Sequence, residues 1–219
     1  MATKVLTPNR DACIADWSAT DWNIGAADEL EVGDRWYDNA YRSLVAFDLA
    51  TAFSGISVAS IESVTLSLLA YGPGGRVFNI AAARILIDWG EGDNTSWATA
   101  GAGECSWNNA KAGSVAWTTP ACDSQGNDRN AFGTPVAAPS NGNRVALDVT
   151  GDVALSDLSG STPHYGWVAK QTAYTDDRSV CQFYSRENAT PANWPTLTFE
   201  YTEAGGIPAG VLAALMDED

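Results

Sequence analysis

The sequence predicts an all-β fold: an antiparallel jelly-roll β-sandwich with one short helix and an apolar C-terminal tail. Three observations carry this. Ile61–Tyr71 (IESVTLSLLAY) sets Val64, Leu66 and Leu68 on one face and Ser63, Thr65 and Ser67 on the other. That alternation marks an antiparallel sheet with one dry and one wet face. Further short strand-like runs are joined by long connections rich in Gly, Asn and Pro, as in sandwiches and barrels. Helical periodicity is scarce.

In chain order, Asp16–Asn39 carries the turn residues of an ordered loop. Tyr41–Leu49 follows as a strand, with Leu44 and Ala46 on one face and Val45 and Phe47 on the other, which predicts cover on both sides. After Ile61–Tyr71, a GPGG turn at Gly72–Gly75 leads into a strand over Val77–Ile87, with Phe78, Ile80 and Ala82 as core. Cys122–Asn143 reads as a second long loop. Strands are predicted at Arg144–Val149, Tyr165–Lys170, Val180–Ser185 and Thr196–Tyr201. Thr150–Leu158 offers Thr150 as an N-cap and Asp152 in the first turn, enough for one or two helical turns.

A chain of 219 residues suits one sizeable β domain, here residues 1–203, followed by the tail 204–219. Its net charge of −15 argues against nucleic acid, whose binding needs basic residues on phosphates. The same surface repels anionic polysaccharide unless a local basic patch or a bridging cation intervenes. No apolar run approaches the length of a membrane span, so no membrane partner is expected. The N-terminus has no signal peptide. The expected location is a virion or an extracellular surface, reached by lysis or a dedicated machine.

Between Asp88 and Pro120 stand Trp89, Trp97, Trp107 and Trp117, at spacings of 8, 10 and 10 residues that fit neither a helix face nor a strand. Two readings stay open. The indoles are pegs holding a long excursion to the core, or some form an exposed platform for sugar rings, for which Trp97, Trp107 and Trp117 are the candidates. Cys105 and Cys122 bracket the end of this stretch, and a disulfide there would add about 3 kcal/mol. A Cys13–Cys181 bridge and four buried thiols are the other options. Asp88, Glu91 and Asp93 crowd a strand end and could hold a structural Ca2+. Asp11, Asp16, Asp21 and Asn23 form a second oxygen-rich stretch. No catalytic constellation appears; the single histidine, His164, sits in a turn context that predicts a solvated ring.

The tail opens with Gly-Gly and then spaces Ile207, Val211, Leu212 and Leu215 as a helix would. Such a helix is too short to hold itself. The expected partner is a protein scaffold, or other copies of this chain, docked by those four residues.

Three ordered segments make the chain similar to the DNRLRE-type jelly-roll domain, the sandwich related to disaggregatase repeats and to certain alginate-binding modules. They are Arg42–Asp48 (RSLVAFD) with Ile61–Tyr71; Trp89–Gly92 (WGEG) through Cys105–Asn109 (CSWNN) to Trp117 and on to Asp148–Thr150 (DVT); and Phe183–Glu187 (FYSRE) with Pro195–Tyr201 (PTLTFEY). Arg186 and Glu187, at a strand end, could pair with loop charges and fix the crossover to the last strand. The resemblance implies a non-catalytic module, carbohydrate-binding or adhesive, of exported proteins and phage virions. The reading preferred on sequence is a non-enzymatic virion or surface-assembly protein, a capsid decoration or tail component. The alternative is a stand-alone carbohydrate-binding module, with a glycan as partner.

Overall fold

Alternating apolar residues need a surface to bury against, and this chain supplies two. The structure, a computed structural model, describes residues 1–16, 21–34, 40–72, 78–172 and 180–205. The middle of the GPGG turn and the four tail residues Ile207, Val211, Leu212 and Leu215 lie outside the described residues.

The first strands are β1 (Ala2–Leu6), β2 (Arg10–Ala15), β3 (Trp22–Ile24), β4 (Glu29–Asp34) and β5 (Ala40–Ala46). A single turn, α1 (Leu49–Ala52), leads to the long β6 (Val58–Leu69) and to β7 (Asn79–Arg84). Short strands β8 (Ala98–Thr99), β9 (Asn109–Lys111), β10 (Val115–Ala116) and β11 (Val136–Ala137) follow, then β12 (Arg144–Asp148). Another helical turn, α2 (Leu155–Leu158), precedes β13 (Trp167–Gln171), β14 (Val180–Tyr184) and β15 (Thr196–Glu203).

The smaller sheet runs β1-β15-β6-β12 and the larger runs β11-β7-β13-β5-β2-β3-β8, all neighbours antiparallel. Strand β4 pairs with β14 and with the start of β5, and Phe183 of β14 bridges to Ala70 beyond β6. On that side the two sheets are therefore joined.

Between the sheets, Val64, Leu66, Leu68, Leu197 and Phe199 of the smaller one meet Val45, Ile80 and Trp167 of the larger. Each such buried side chain contributes about 1.5–3 kcal/mol. The register is what alternation demands: Leu66 lies opposite Leu197 and Leu147, and Val64 opposite Phe199. The other face of the larger sheet is also dry. Ala12, Ile14, Leu44, Ala46, Ala83 and Val168 are covered by Trp89, Cys105, Trp117 and Cys122 from the long excursion. This third layer is why β5 reads as apolar on both faces.

Several expectations need correction. The Asp16–Asn39 segment contains β3 and β4, not loop alone. The strand expected to run to Leu49 stops at Ala46, because Asp48 turns the chain by accepting the Thr51 N–H at 3.0 Å, capping α1. The predicted helix over Thr150–Leu158 divides into a 3-10 turn at Thr150–Asp152 and α2. Thr150 does not cap it; its hydroxyl oxygen accepts the Val64 N–H at 2.8 Å and ties the turn to β6. The Cys105–Cys122 disulfide is absent, and all four cysteines are buried thiols. Cys105 Sγ sits 3.8 Å from the Glu91 carbonyl oxygen, whereas Cys122 Sγ sits 3.5 Å from that of Asp128. Burial pushes the Cys105 thiol up to about 12. Among the described residues no helix is long and apolar enough to cross a membrane.

Candidate functional site

The four indoles of the excursion divide by what covers them. Trp89 is fully buried, its Nε1–H donates to the Tyr165 carbonyl at 2.7 Å, and the Arg10 guanidinium lies 4.4 Å over its ring. Trp117, named above as a platform candidate, is only 4% exposed and donates to the Ser106 carbonyl at 2.9 Å. It is a peg, since a sugar ring cannot reach it. Trp97 is half-buried, set edge-on to Tyr41 at 5.3 Å and packed on the inter-sheet core. Trp107 alone of the three candidates lines an open groove.

Polar side chains fix the excursion to the sheet. The Asn23 amide donates to the Cys105 carbonyl at 2.8 Å, and the Asn94 amide to Asn23 Oδ1 at 2.7 Å. Asp21 accepts from Ser106 at 2.8 Å and Asn109 at 3.2 Å. Within the excursion the chain passes so close to itself that a Cβ on Gly90 would come 1.9 Å from the Gly103 carbonyl oxygen. Only glycine fits there.

The groove, about 500 Å3, opens where the excursion ends, beside Ala40 of β5 and Gln171 of β13. Trp107 and Phe132 form its aromatic walls, with Arg42, Lys170 and Gln171 between them. Arg42 lies 5.3 Å over Trp107, and Lys170 lies 4.7 Å over Phe132. Asp123 gathers the cations: Arg42 at 3.1 Å, Arg129 at 2.8 Å and Lys170 at 3.0 Å. Burial opposes ionisation of Asp123, but hydrogen bonds from Arg42 and Arg129, with Lys170, outweigh it and hold the carboxyl well below the usual carboxylate range. Burial, reinforced by the charge of Arg42, pushes Lys170 down. Three cations share the Asp123 carboxylate, while Asp34 lines the groove and Asp128 lies in the turn below.

The turn beneath the patch is strained. Ala121 and Cys122 adopt φ of +65° and +58°, a region that costs non-glycine residues about 1–3 kcal/mol each. It is clamped from both ends. Arg42 Nη1 donates to the Ala121 carbonyl at 2.6 Å, and the Asp128 carboxylate accepts the N–H groups of Thr118, Thr119 and Ser124.

The residues named for Ca2+ are not brought together. Asp88 pairs with Arg10 at 3.0 Å and Lys111 at 2.5 Å, and Asp93 is exposed. Glu91 turns instead toward Asp11 and Glu187, where one oxygen from each lies within 4.8 Å of the others. Arg186 forks both oxygens of Glu91 at 2.9 and 2.7 Å, and its own N–H donates to Asp11 at 2.9 Å. The Arg186–Glu187 turn thus pairs with loop charge and clasps the excursion to β2. Burial first, then the charge of Glu187, pushes Asp11 well up. Arg186, 2.7 Å from Glu91 and 3.1 Å from Glu187, supplies the positive charge at this cluster. His164 also differs from expectation. Its ring is half-buried on Trp167, centroids 4.4 Å apart, and burial with the charge of Arg84 lowers it to about 4.

Sequence reasoning missed Arg42, Lys170, Phe132 and Asp123 as groove residues. One signal was present for two of them. Arg42 and Lys170 stand on the same strand faces as the buried Leu44 and Val168, so a cation ends an otherwise apolar row. Phe132 and Asp123 lie in irregular loop, where no period foretells direction.

A β-sandwich roofed by an aromatic-pinned layer, with a groove that pairs an indole with charged and amide groups, has the build of a recognition module. The family model of carbohydrate-binding module family 96 matches residues 2–201, and the chain belongs to that family. No curated protein matches the sequence.

Proposed function

We propose that the chain is a non-catalytic polysaccharide-binding module and that the groove between Trp107 and Phe132 is its binding surface. The observation that carries this is Trp107, the one candidate indole in an open groove, with Arg42 and Lys170 beside it. An indole face stacks on the apolar face of a sugar ring. Arg42 and Lys170 hydrogen-bond its substituents, and Gln171 adds amide donors and acceptors. Arg42 and Lys170, side by side in the groove wall, are the cations that would meet the carboxylate of an acidic sugar. Uronate-containing chains are therefore the preferred substrates. The family favours this reading, a carbohydrate-binding module, over a virion decoration or tail component. The finer DNRLRE-type assignment stays a resemblance carried by its motifs. An extracellular or particle surface is the location that fits this reading.

The test is affinity for a polyuronate and for an uncharged glucan, measured by calorimetry for the native chain and Trp107→Ala. The expected result is preference for the polyuronate and a loss of about tenfold or more in the variant, equivalent to about 1.4 kcal/mol. Equal binding by the two proteins would remove the groove from the account.

A further inference from the structure

Asp123 is not in the wall of the groove, yet it fixes where the two cations of that wall stand. Its Oδ2 accepts from Arg42 Nη2 at 3.1 Å and its Oδ1 from Lys170 Nζ at 3.0 Å. Arg129 holds Asp123 in turn. Its Nη2 donates to the carboxylate at 2.8 Å and to the Asp123 carbonyl at 3.1 Å, while Nη1 donates to the Asn130 carbonyl at 2.8 Å. With a side chain only 8% exposed and a guanidinium 4.0 Å over Phe132, Arg129 is an anchor and not a ligand contact. Asp123 directly follows Ala121 and Cys122, the two residues at positive φ, and such strain persists only where the surrounding structure fixes it. The turn is built around the place of one carboxylate.

Charge is the second observation. Among the described residues the groove wall holds Arg42, Lys170 and Asp34, while Arg129, Asp123 and Asp128 stand in the turn beneath. These are three formal charges of each sign, so no surplus is left to draw in a polyanion from a distance. What Arg42 and Lys170 offer is direction. A guanidinium carries five N–H donors and an ammonium three, more than Asp123 accepts from either. Donors held in a fixed place make short, charge-assisted bonds to one carboxylate. A densely sulfated chain brings many charges and meets Asp34 and Asp123 as well.

Resting on the reading of the groove as a uronate site, we propose that Asp123 is its specificity-determining residue. It positions Arg42 and Lys170 to bond a single carboxylate beside Trp107, and by offsetting their charge it excludes densely charged polyanions.

The experiment compares polygalacturonate and polymannuronate with dextran sulfate, by calorimetry at about 50 and 200 mM NaCl. It uses the native chain, Asp123→Asn and Asp93→Asn. Asp93, exposed and outside the groove, controls for the mere loss of a negative charge. At the slopes nucleic acids show, one ion contact loses about threefold in affinity over this salt range. The native chain should lose no more than that on the better polyuronate, and should prefer it to dextran sulfate. Asp123→Asn should lose about tenfold, as two contacts would, and should bind dextran sulfate several-fold more tightly than the native chain does. Asp93→Asn should behave as native. The proposal is overturned if Asp123→Asn keeps the native salt dependence and polymer preference, if Asp93→Asn changes as Asp123→Asn does, or if the native chain binds dextran sulfate the tighter. That last comparison needs no variant, so it decides even if Asp123→Asn does not fold. If Trp107→Ala loses polyuronate while Asp123→Asn stays native, this inference alone fails. A native chain that binds no polyuronate ends both readings.

Discussion

Two tryptophans ten residues apart show how much a side chain's role depends on what lies across from it. Trp117 meets the sheet and is sealed; Trp107 packs on the same core only in part, lies beside Arg42 and keeps a face to the groove. Trp117→Ala should cost about 3–5 kcal/mol, as large aromatic truncations in cores do, whereas Trp107→Ala, which removes a side chain packed on the core only in part, should cost clearly less. Calorimetric melting of the two variants checks this, and equal losses would contradict the division. Asp11 makes a pH prediction. Its carboxyl is raised in the folded state, so the native protein binds a proton that the unfolded chain releases near pH 4. The stability this confers is present at low pH and is lost as pH rises through the raised value. Asp11→Asn keeps the acceptor for Arg186 and the donor toward Glu187 but cannot ionise. It should melt higher than the native chain at pH 8, by a few degrees, since about 1 kcal/mol moves a chain of this size by about 2–4 °C. A lower midpoint at pH 8 would show that Asp11 is needed as a carboxylate.

The excursion is the element on which the site depends, and the sequence shows it only in part. Its anchors were visible as indoles among turn residues, and the apolar pattern of Tyr41–Leu49 foretold a covering layer. What covered it was not visible, because the fit rests on pairs far apart in sequence: Asn23 with Cys105, Arg42 with Asp123, Glu91 with Arg186. The same limit explains the Ca2+ expectation. Asp88, Glu91 and Asp93 are close in sequence, yet in the irregular chain after β7 Asp88 turns to Arg10 and Lys111, Glu91 to Arg186, and Asp93 is exposed. Arg186→Ala should loosen the clasp, leaving Glu91 unpaired beside Glu187. Hydrogen exchange should then speed up at Gly90 and Cys105, whose N–H groups close the excursion, with β6 and β15 unaffected. Uniform acceleration across both sheets would instead mark a global loss of stability.

For the whole molecule, the sandwich was legible because alternation of period two survives in β6, β12 and β15, where one sheet face is wet. It was least legible in β3 and β4, short strands whose turn-like residues are overruled by pairing with β2 and β14. Charge is the other property of this scale. A protein of net −15 gathers three cations around Asp123 at one end of one face. The central claim is that glycan is held on the roofed face of the larger sheet. Amide-shift mapping with a polyuronate oligosaccharide tests it directly: shifts should centre on Arg42, Trp107, Lys170 and Thr172. Shifts centred instead on the wet face of the smaller sheet, at Thr65, Ser67 and Thr198, would contradict it.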